Sequence, residues 1–338
     1  MKFCLISLLP PSELDGEIFT HEVNQISQWA TIMGGTHYNG VSFDLGYYGL
    51  PYDFFSEFDL VMVALRSELI EVGIKIKERS TARVVVFFDA ELEHFTTFLD
   101  RELQVRFVRL LNMADAVAVH HENHIPVIKR LTPKPVGVVG LPFPLKRVRE
   151  ELCPPVDKKI IIDLGSALGK LVSRNGLVNL AALTEIGVPG AADMQDPEEL
   201  YYLRIMRKFM PIPPIHFRVT SYNPFSSDNR VRLWEEYISQ VNYSMLGIHL
   251  DFRQTWGRFP IDCAAVRMPC ISTPGFYAQQ ILFPDLCVPY QDVEGAAGLA
   301  KRLLKSRSFY EEVMDYAESR LSFFAEAATK QRLLNLLG

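Results

Sequence analysis

Four short, largely apolar runs constrain this chain more than any other feature: residues 58–65 (FDLVMVAL), 83–88 (RVVVFF), 159–164 (KIIIDL) and 245–251 (MLGIHLD). A strand that is apolar on both faces must be covered on both faces, the condition of a parallel sheet flanked by helices. The segments between the runs supply those helices. Residues 17–33, 68–77, 99–113, 123–131, 175–186, 197–209, 230–241, 292–305 and 308–337 carry helical patterning. Residues 2–9, 38–43, 116–120, 136–139, 216–220 and 270–272 read as further strands, and 46–58 as an irregular surface loop. Strands alternating with helices predict a doubly wound α/β architecture.

The series runs twice. Residues 145–159 are charge-rich and contain Pro154 and Pro155, which predicts a linker, and the second series starts at residue 159. A chain of 338 residues also exceeds one comfortable core. The expected division is an N-terminal Rossmann-like domain over 1–150, a C-terminal one over 151–310, and a closing helix over 311–338.

Composition excludes several classes. Hydrophobic residues make up 48% and charged residues 22%, so long disorder is not expected. The formal net charge is -5, which disfavours generic nucleic-acid binding but leaves room for a local phosphate site. The five cysteines form no CxxC pair, which suits free thiols in a reducing, cytoplasmic setting and speaks against zinc. The first residues, MKFCLISLLPPSEL, read as a buried strand; a signal peptide is the alternative. His120, His121 and His124 invite a metal reading, but neighbouring strand residues point to opposite faces, so no metal is expected. Arg101, Arg106 and Arg109, with Phe107, form either a peripheral membrane contact or a solvated face diluted by Asp100 and Glu102.

Residues 245–273 carry the densest chemistry. A strand leads through a polar turn with Gly257 into a helix start at 259–266, and Pro269 precedes the next strand. In such βαβ units ligands sit beyond the carboxyl ends of strands, where helix amides point outward.

The order of elements resembles the GT-B glycosyltransferases, two Rossmann-like domains facing across a cleft with C-terminal helices closing back on the first domain. The nearest pattern is that of the large retaining family of sucrose-synthase-like and mannosyltransferase enzymes. Its motif, E-G-F-G-x-x-x-x-E-A-x-A-x-G-x-P-V, lies without a gap over residues 254–270, QTWGRFPIDCAAVRMPC. Gln254 takes the place of the first Glu, Gly257 the second Gly, Asp262 the second Glu, Ala265 the second Ala and Pro269 the Pro. Residues 114–131 (ADAVAVHHENHIPVIKRL) and 134–143 (KPVGVVGLPF) resemble the end of that family's first domain.

The resemblance implies a donor site for a nucleoside diphosphate sugar, with no cofactor. Asp262 would accept the ribose hydroxyls, or else it complements the helix macrodipole. Amides of Gly257, Arg258 and Phe259 would hold the diphosphate, with Arg258, and less so Arg253, as guanidinium clamps; Gly257 is otherwise a turn glycine. Gln254, beside Thr255, would touch the transferred sugar without a charge. The family's second phosphate loop corresponds to residues 163–176, DLGSALGKLVSRNG, with Gly165 and Gly169. Here Ser166 stands in the place of the family Arg and Arg174 lies near that of the Lys, with Lys170 between them. This loop is either a phosphate cradle or solvated. On the acceptor side, Asp89 and His94, with Glu91, follow the strand after which the family often has a His. They would orient an acceptor hydroxyl or act as base; otherwise Asp89 caps a strand and His94 sits on a helix surface. Asp15 and Gly16 match the family's glycine-bearing first loop.

The expected function is transfer of a sugar from a nucleoside diphosphate sugar to an acceptor of unknown class, without metal. The alternatives are a GT-B-like subunit with a decayed motif, acting as scaffold or partner of an active enzyme, and an epimerase of the same shape. A homo- or hetero-oligomer is compatible with either.

Overall fold

Eleven strands form two parallel sheets in a computed structural model that describes residues 1–8, 26–89, 91–96, 100–168, 174–194, 197–219 and 234–338. Asp15, Gly16 and Lys170 lie outside the described residues. The first sheet comprises β1 (Phe3–Ser7), β2 (Thr36–Asn39), β3 (Leu60–Leu65), β4 (Arg83–Phe88), β5 (Ala116–Ala118) and β6 (Val136–Gly137), in the order β2-β1-β3-β4-β5-β6. The second comprises β7 (Lys159–Asp163), β8 (Gly190–Met194), β9 (Ile215–Val219), β10 (Ser244–His249) and β11 (Cys270–Ser272), in the order β11-β10-β7-β8-β9. Every pairing in both sheets is parallel.

The apolar runs explain the cores. All six residues of β3 are buried, as are the last five of β4. Trp29, from the Gln28–Met33 helix, meets Phe87 edge-on at 5.8 Å. All five cysteines are free.

Contacts divide the chain into two units, one of Met1–Phe143, Gln254–Trp256 and Phe323–Gly338, the other of Pro144–Arg253 and Gly257–Ser322. The C-terminal helical stretch breaks at Ser322–Phe324, between the helices Arg307–Leu321 and Glu326–Leu337. Past that break the chain joins the first unit. Phe143 N donates to Phe324 O at 2.9 Å, and Arg332 Nε donates to Val139 O at 2.8 Å.

Two local expectations need correction, and one strand was not anticipated. Residues 38–43 are not one strand: β2 stops at Asn39, whose side chain accepts from Ser42 N at 2.8 Å and caps the helix Gly40–Asp44. Gly40 is needed there because an added Cβ would lie 2.4 Å from Leu69. The segment 46–58 holds a 3-10 helix, Tyr52–Glu57, instead of a wholly irregular loop. Its Phe55 is fully buried and packs on Phe43 at 4.6 Å within an aromatic cluster. Strand β8 (GAADM) has no signal in the pattern; its alanines and Gly190 carry little strand preference, and pairing with β7 and β9 imposes the conformation.

One ionic network ties the second sheet together at the carboxyl ends of its strands. Arg218 of β9 donates to Asp163 of β7 at 2.5 and 2.6 Å and to Asp193 of β8 at 2.7 Å. Their side chains are 7%, 0% and 8% exposed. Burial disfavours the guanidinium charge, but the two carboxylates outweigh it and hold Arg218 protonated well above its ordinary range. Arg218→Met would leave two buried carboxylates without their cation. The expected loss is about 3–5 kcal/mol of stability, read as a lower urea midpoint at unchanged slope.

Candidate functional site

In the second sheet the strand order reverses between β7 and β10, and the loops after these two strands leave in opposite directions, the crevice where open α/β sheets take ligands. After β7 comes Gly165, with φ +50. A Cβ there would lie 2.9 Å from the Phe259 ring, so only glycine lets this loop pass over the helix Arg258–Ala265 that follows β10. The start of the loop is pinned twice: Gly165 N donates to Asp163 Oδ1 at 2.9 Å, and Gly165 O accepts from Asp193 N at 2.7 Å.

Ser166 and Arg174 meet. Arg174 Nη1 donates to Ser166 Oγ at 2.6 Å, although eight positions separate them. The serine in the place of the motif's arginine therefore holds a guanidinium delivered from farther along the loop. Asn175, in the left-handed region at φ 57, then anchors the loop, its side-chain amide donating to Leu250 O and Tyr290 O at 3.0 Å each. Asn179 is fully buried; its oxygen accepts from Leu250 N at 2.8 Å, tying this helix to the end of β10.

After β10, Asp251 is fully buried and accepts from Arg253 Nη2 at 2.5 Å and from Arg253 N at 3.0 Å. Burial pushes the Asp251 carboxyl up, but Arg253 and His249 outweigh it and hold it below its ordinary range. The expected phosphate clamp Arg253 is thus engaged with a neighbour.

Gly257 begins the helix Arg258–Ala265, with φ 72 and no side-chain cap. An added Cβ would lie 2.5 Å from Phe276 Cβ. Pro260 removes one amide from the first turn, so the helix N-terminus presents the N–H groups of Arg258 and Phe259. Asp262 lies one turn on and is 1% exposed. Its carboxylate accepts from Arg258 Nε at 3.0 and 3.2 Å and from Tyr237 Oη at 3.4 Å. Burial raises its pKa from 3.8 to about 6 despite these donors. The shorter Asp in place of Glu thus sits on Arg258.

His249, at the end of β10, is 2% exposed, and neither ring nitrogen has a hydrogen-bond partner. Phe259 and Phe276 flank it at 5.6 and 5.3 Å, and burial lowers its pKa to about 3. Arg267 occupies the glycine position of the motif and keeps the left-handed backbone, φ 52, that the glycine would favour. Its guanidinium pairs with Glu311 at 3.1 Å and Asp315 at 3.4 Å. It also lines a cavity of ≈ 770 Å³ with Lys158, Asn242 and Tyr310, apart from the loops at the strand ends.

In the first unit, Gln254 Oε1 lies 3.2 Å from His124 Nε2. His124 Nδ1 is buried without a partner. An orphaned ring acceptor costs less than an orphaned N–H, so Nε2–H donates and the Gln254 amide is left as a donor. Trp256 stacks on Phe87 at 5.4 Å and meets His120 edge-on at 5.0 Å. All three histidines are buried, and β5 ends at Ala118, before His120 and His121, so the strand alternation expected of that pair does not apply. Burial lowers the pKa of His120 and His124, so both stay neutral. Among the described residues no group of three His, Cys, Asp or Glu is placed to hold a metal ion.

Asp89 follows β4 and accepts from Arg66 Nε at 2.7 Å. Burial raises its pKa more than Arg66 lowers it. His94, in the helix Leu92–Thr96, lies 3.3 Å from Ser67 Oγ. No contact between Asp89 and His94 brings them together as a pair. On the Arg101–Met113 helix, Arg106 pairs with Glu71 and Glu102, and Arg109 with Glu78, so this face is largely neutralised.

No protein-family model matches the sequence, and no curated protein matches it in sequence. The fold does match solved structures. Sucrose-phosphate synthase from Thermosynechococcus elongatus superposes with a TM-score of 0.73 at 13% identity, over 99% of this chain and 98% of that one. The chain has the GT-B glycosyltransferase fold. The α,α-trehalose 6-phosphate synthase of Burkholderia multivorans gives 0.66 at 10% identity, over 99% and 98% of the two chains. An E. coli trehalose-6-phosphate protein bound with UDP-2-fluoro glucose gives 0.67 at 10% identity, over 100% and 99%. Among the described residues no helix is long and apolar enough to cross a membrane.

Asn175, Asn179, Tyr237 and His249 escaped sequence reasoning. Only the Asn175–Gly176 pair beside Arg174 could have drawn attention to the loop. The two buried groups beside the helix pull on stability in opposite senses. His249 is neutral when folded and gains a proton below about pH 6.5 when unfolded, so its contribution is lost as pH falls. Asp262 keeps its proton longer when folded, so its contribution is lost as pH rises from about 4 to about 6. Hence His249→Phe should flatten the acid side of the stability profile and Asp262→Asn should steepen it, each by at most about 1.4 kcal/mol per pH unit. Urea unfolding between those pH values measures both.

Proposed function

We propose that this GT-B chain binds a nucleoside diphosphate sugar at the carboxyl ends of β7 and β10 and transfers the sugar to an acceptor. The observation that carries this reading is the Arg174–Ser166 contact, which restores a guanidinium to the position where the motif family has an arginine. With Gly165 and Gly257 allowing close backbone approach, Arg174, Arg258 and the helix amides supply charge and donors for a diphosphate. Lys170, on the same loop, would add a further cation.

Arg258 would exchange Asp262 for the diphosphate when the nucleotide enters. That exchange releases the Asp262 oxygens to accept the ribose hydroxyls. The Gln254 amide, held by His124, would donate to the transferred sugar, with Thr255 beside it. Gln254 carries no charge to stabilise an oxocarbenium-like transition state, so diphosphate stabilisation bears most of the catalysis. Asp89 and His94 would serve the acceptor hydroxyl, and Asp15 and Gly16 belong to the same acceptor-side assignment. The leaving group is neutralised by guanidinium and amide groups of the chain itself.

A second reading is favoured by Gln254: a nucleotide-binding subunit that no longer transfers sugar and serves an active partner. Thermal shift with UDP, GDP and ADP, alone and as sugar conjugates, separates the cases. One of these should stabilise the protein, by about 2.7 kcal/mol at a hundredfold excess over Kd. Arg174→Gln and Arg258→Gln should each weaken that binding about tenfold or more, the loss of a charge-assisted hydrogen bond. Stabilisation without sugar transfer to any tested acceptor supports the second reading. No stabilisation by any nucleotide overturns both.

A further inference from the structure

The cavity of ≈ 770 Å³ in the second unit has no part in the site above. Lys158 in its wall precedes β7, and Asn242 precedes β10. The cavity therefore lies at the amino ends of the strands whose carboxyl ends lead to Ser166 and Asp251. The helix Arg307–Leu321 and residues 265–267 close its other side. Pro154, Val156, Met245 and Val266 make part of the wall apolar. Its volume is that of a site for a small organic molecule.

Charges of both signs line the cavity, and all but two are matched. Arg149 Nη1 and Nη2 donate to the two Glu318 oxygens at 2.5 Å each. Arg307 pairs with Glu311; Arg267 pairs with Glu311 at 3.1 Å and with Asp315, outside the wall, at 3.4 Å. The two that remain are Lys158 and Asp157. Asp157 is exposed, so water serves its carboxylate.

Lys158 is differently placed. Its Nζ donates to Asn242 O at 2.8 Å, just past the helix Trp234–Val241, and among the described residues no carboxylate pairs with it. That carbonyl takes one of three N–H donors and brings only a partial charge. Burial lowers the Lys158 pKa to about 8, which leaves it charged at neutral pH. The side chains that act on it are Cys263, Cys153 and Arg267. Burial raises both thiols, so neither supplies an anion. Tyr310 does not either: its hydroxyl donates to Arg267 O at 2.8 Å, and burial raises its pKa. Lys158 thus holds a buried charge and two further donors in the wall of a partly apolar cavity.

We infer that this cavity binds a small organic monocarboxylate, with the carboxylate on Lys158 and the apolar body against Val156, Met245 and Val266. One cation selects one negative charge. A phosphate dianion would need a second, and the three guanidiniums that could supply it already have carboxylate partners.

The inference is independent of the glycosyltransferase reading, and its test uses no nucleotide. The full chain carries isotope-labelled methionine methyl groups, and Met245→Leu identifies the Met245 signal. Butyrate, benzoate and phenylacetate are titrated, each beside its neutral amide. At least one carboxylate should shift the Met245 signal saturably and leave that of Met62, in β3, unmoved. Its amide should bind at least about tenfold more weakly, for want of the charge-assisted bond. Lys158→Met should weaken the acid by the same factor. Val156→Trp, which fills the cavity and keeps Lys158, should abolish the shift; melting temperatures show that both variants are folded. The comparison of acid with amide uses the unaltered chain, so it decides the matter even where a variant unfolds. An unmoved Met245 signal with all three acids, equal binding of acid and amide, or undiminished binding by folded Lys158→Met overturns the inference. So does tighter binding of inorganic phosphate, read at the same signal.

Discussion

The Asp163–Arg218–Asp193 network sets the geometry on which the second unit's candidate site rests. It lies where β7, β8 and β9 end, and it fixes three strand ends to one guanidinium. Asp163 also accepts from Gly165 N, so the network reaches directly into the loop that carries Ser166. A hydrophobic core at this place would hold the strands as firmly, but it could not set the direction in which the loop leaves the sheet. Buried ion pairs add little net stability over apolar packing. Their effect here is directional, because both Asp163 oxygens and all three guanidinium nitrogens have assigned partners.

Charge in the candidate site is arranged in exchangeable pairs. Arg258 rests on Asp262, Arg253 on Asp251, and Arg174 on a neutral serine. A guanidinium paired with a buried carboxylate is available to a ligand only at the cost of that pairing. The anchors of the three arginines thus differ in kind, a carboxylate for Arg258 and for Arg253 and a hydroxyl among those of Arg174. Sequence identity treats them alike; their anchors do not.

Much of the fold was legible in advance. The apolar runs at β3, β4, β7 and β10 marked strands buried on both faces, and their alternation with helices announced parallel sheets. What escaped had weak local signal. Strand β8 is built from alanines and a glycine and exists because its neighbours pair with it. The tyrosine- and phenylalanine-rich segment near Tyr52 read as a loop because its rings pack on one another without a regular period. In the site, Gly257 and Asp262 were visible through motif spacing. The pairing of Asp262 with Arg258 was not, because it depends on a side chain one methylene shorter than the motif's. The Arg174–Ser166 contact was hidden for a different reason: it closes a loop whose course no pattern of residue types encodes.

The first unit is assembled from three separate stretches of chain, and its last stretch, Phe323–Gly338, follows all of the second unit in sequence. Strand β6 and the segment after it lean on that stretch through Arg332 and Phe324. During synthesis the first sheet would leave the ribosome long before the helix that covers its edge. The second unit, drawn from a nearly continuous segment, can complete itself sooner. Order of folding is therefore the reverse of order of synthesis for the final docking step, and the early sheet must wait with its flank open. A nascent chain of this design depends on the delay being short, or on a chaperone that covers the gap.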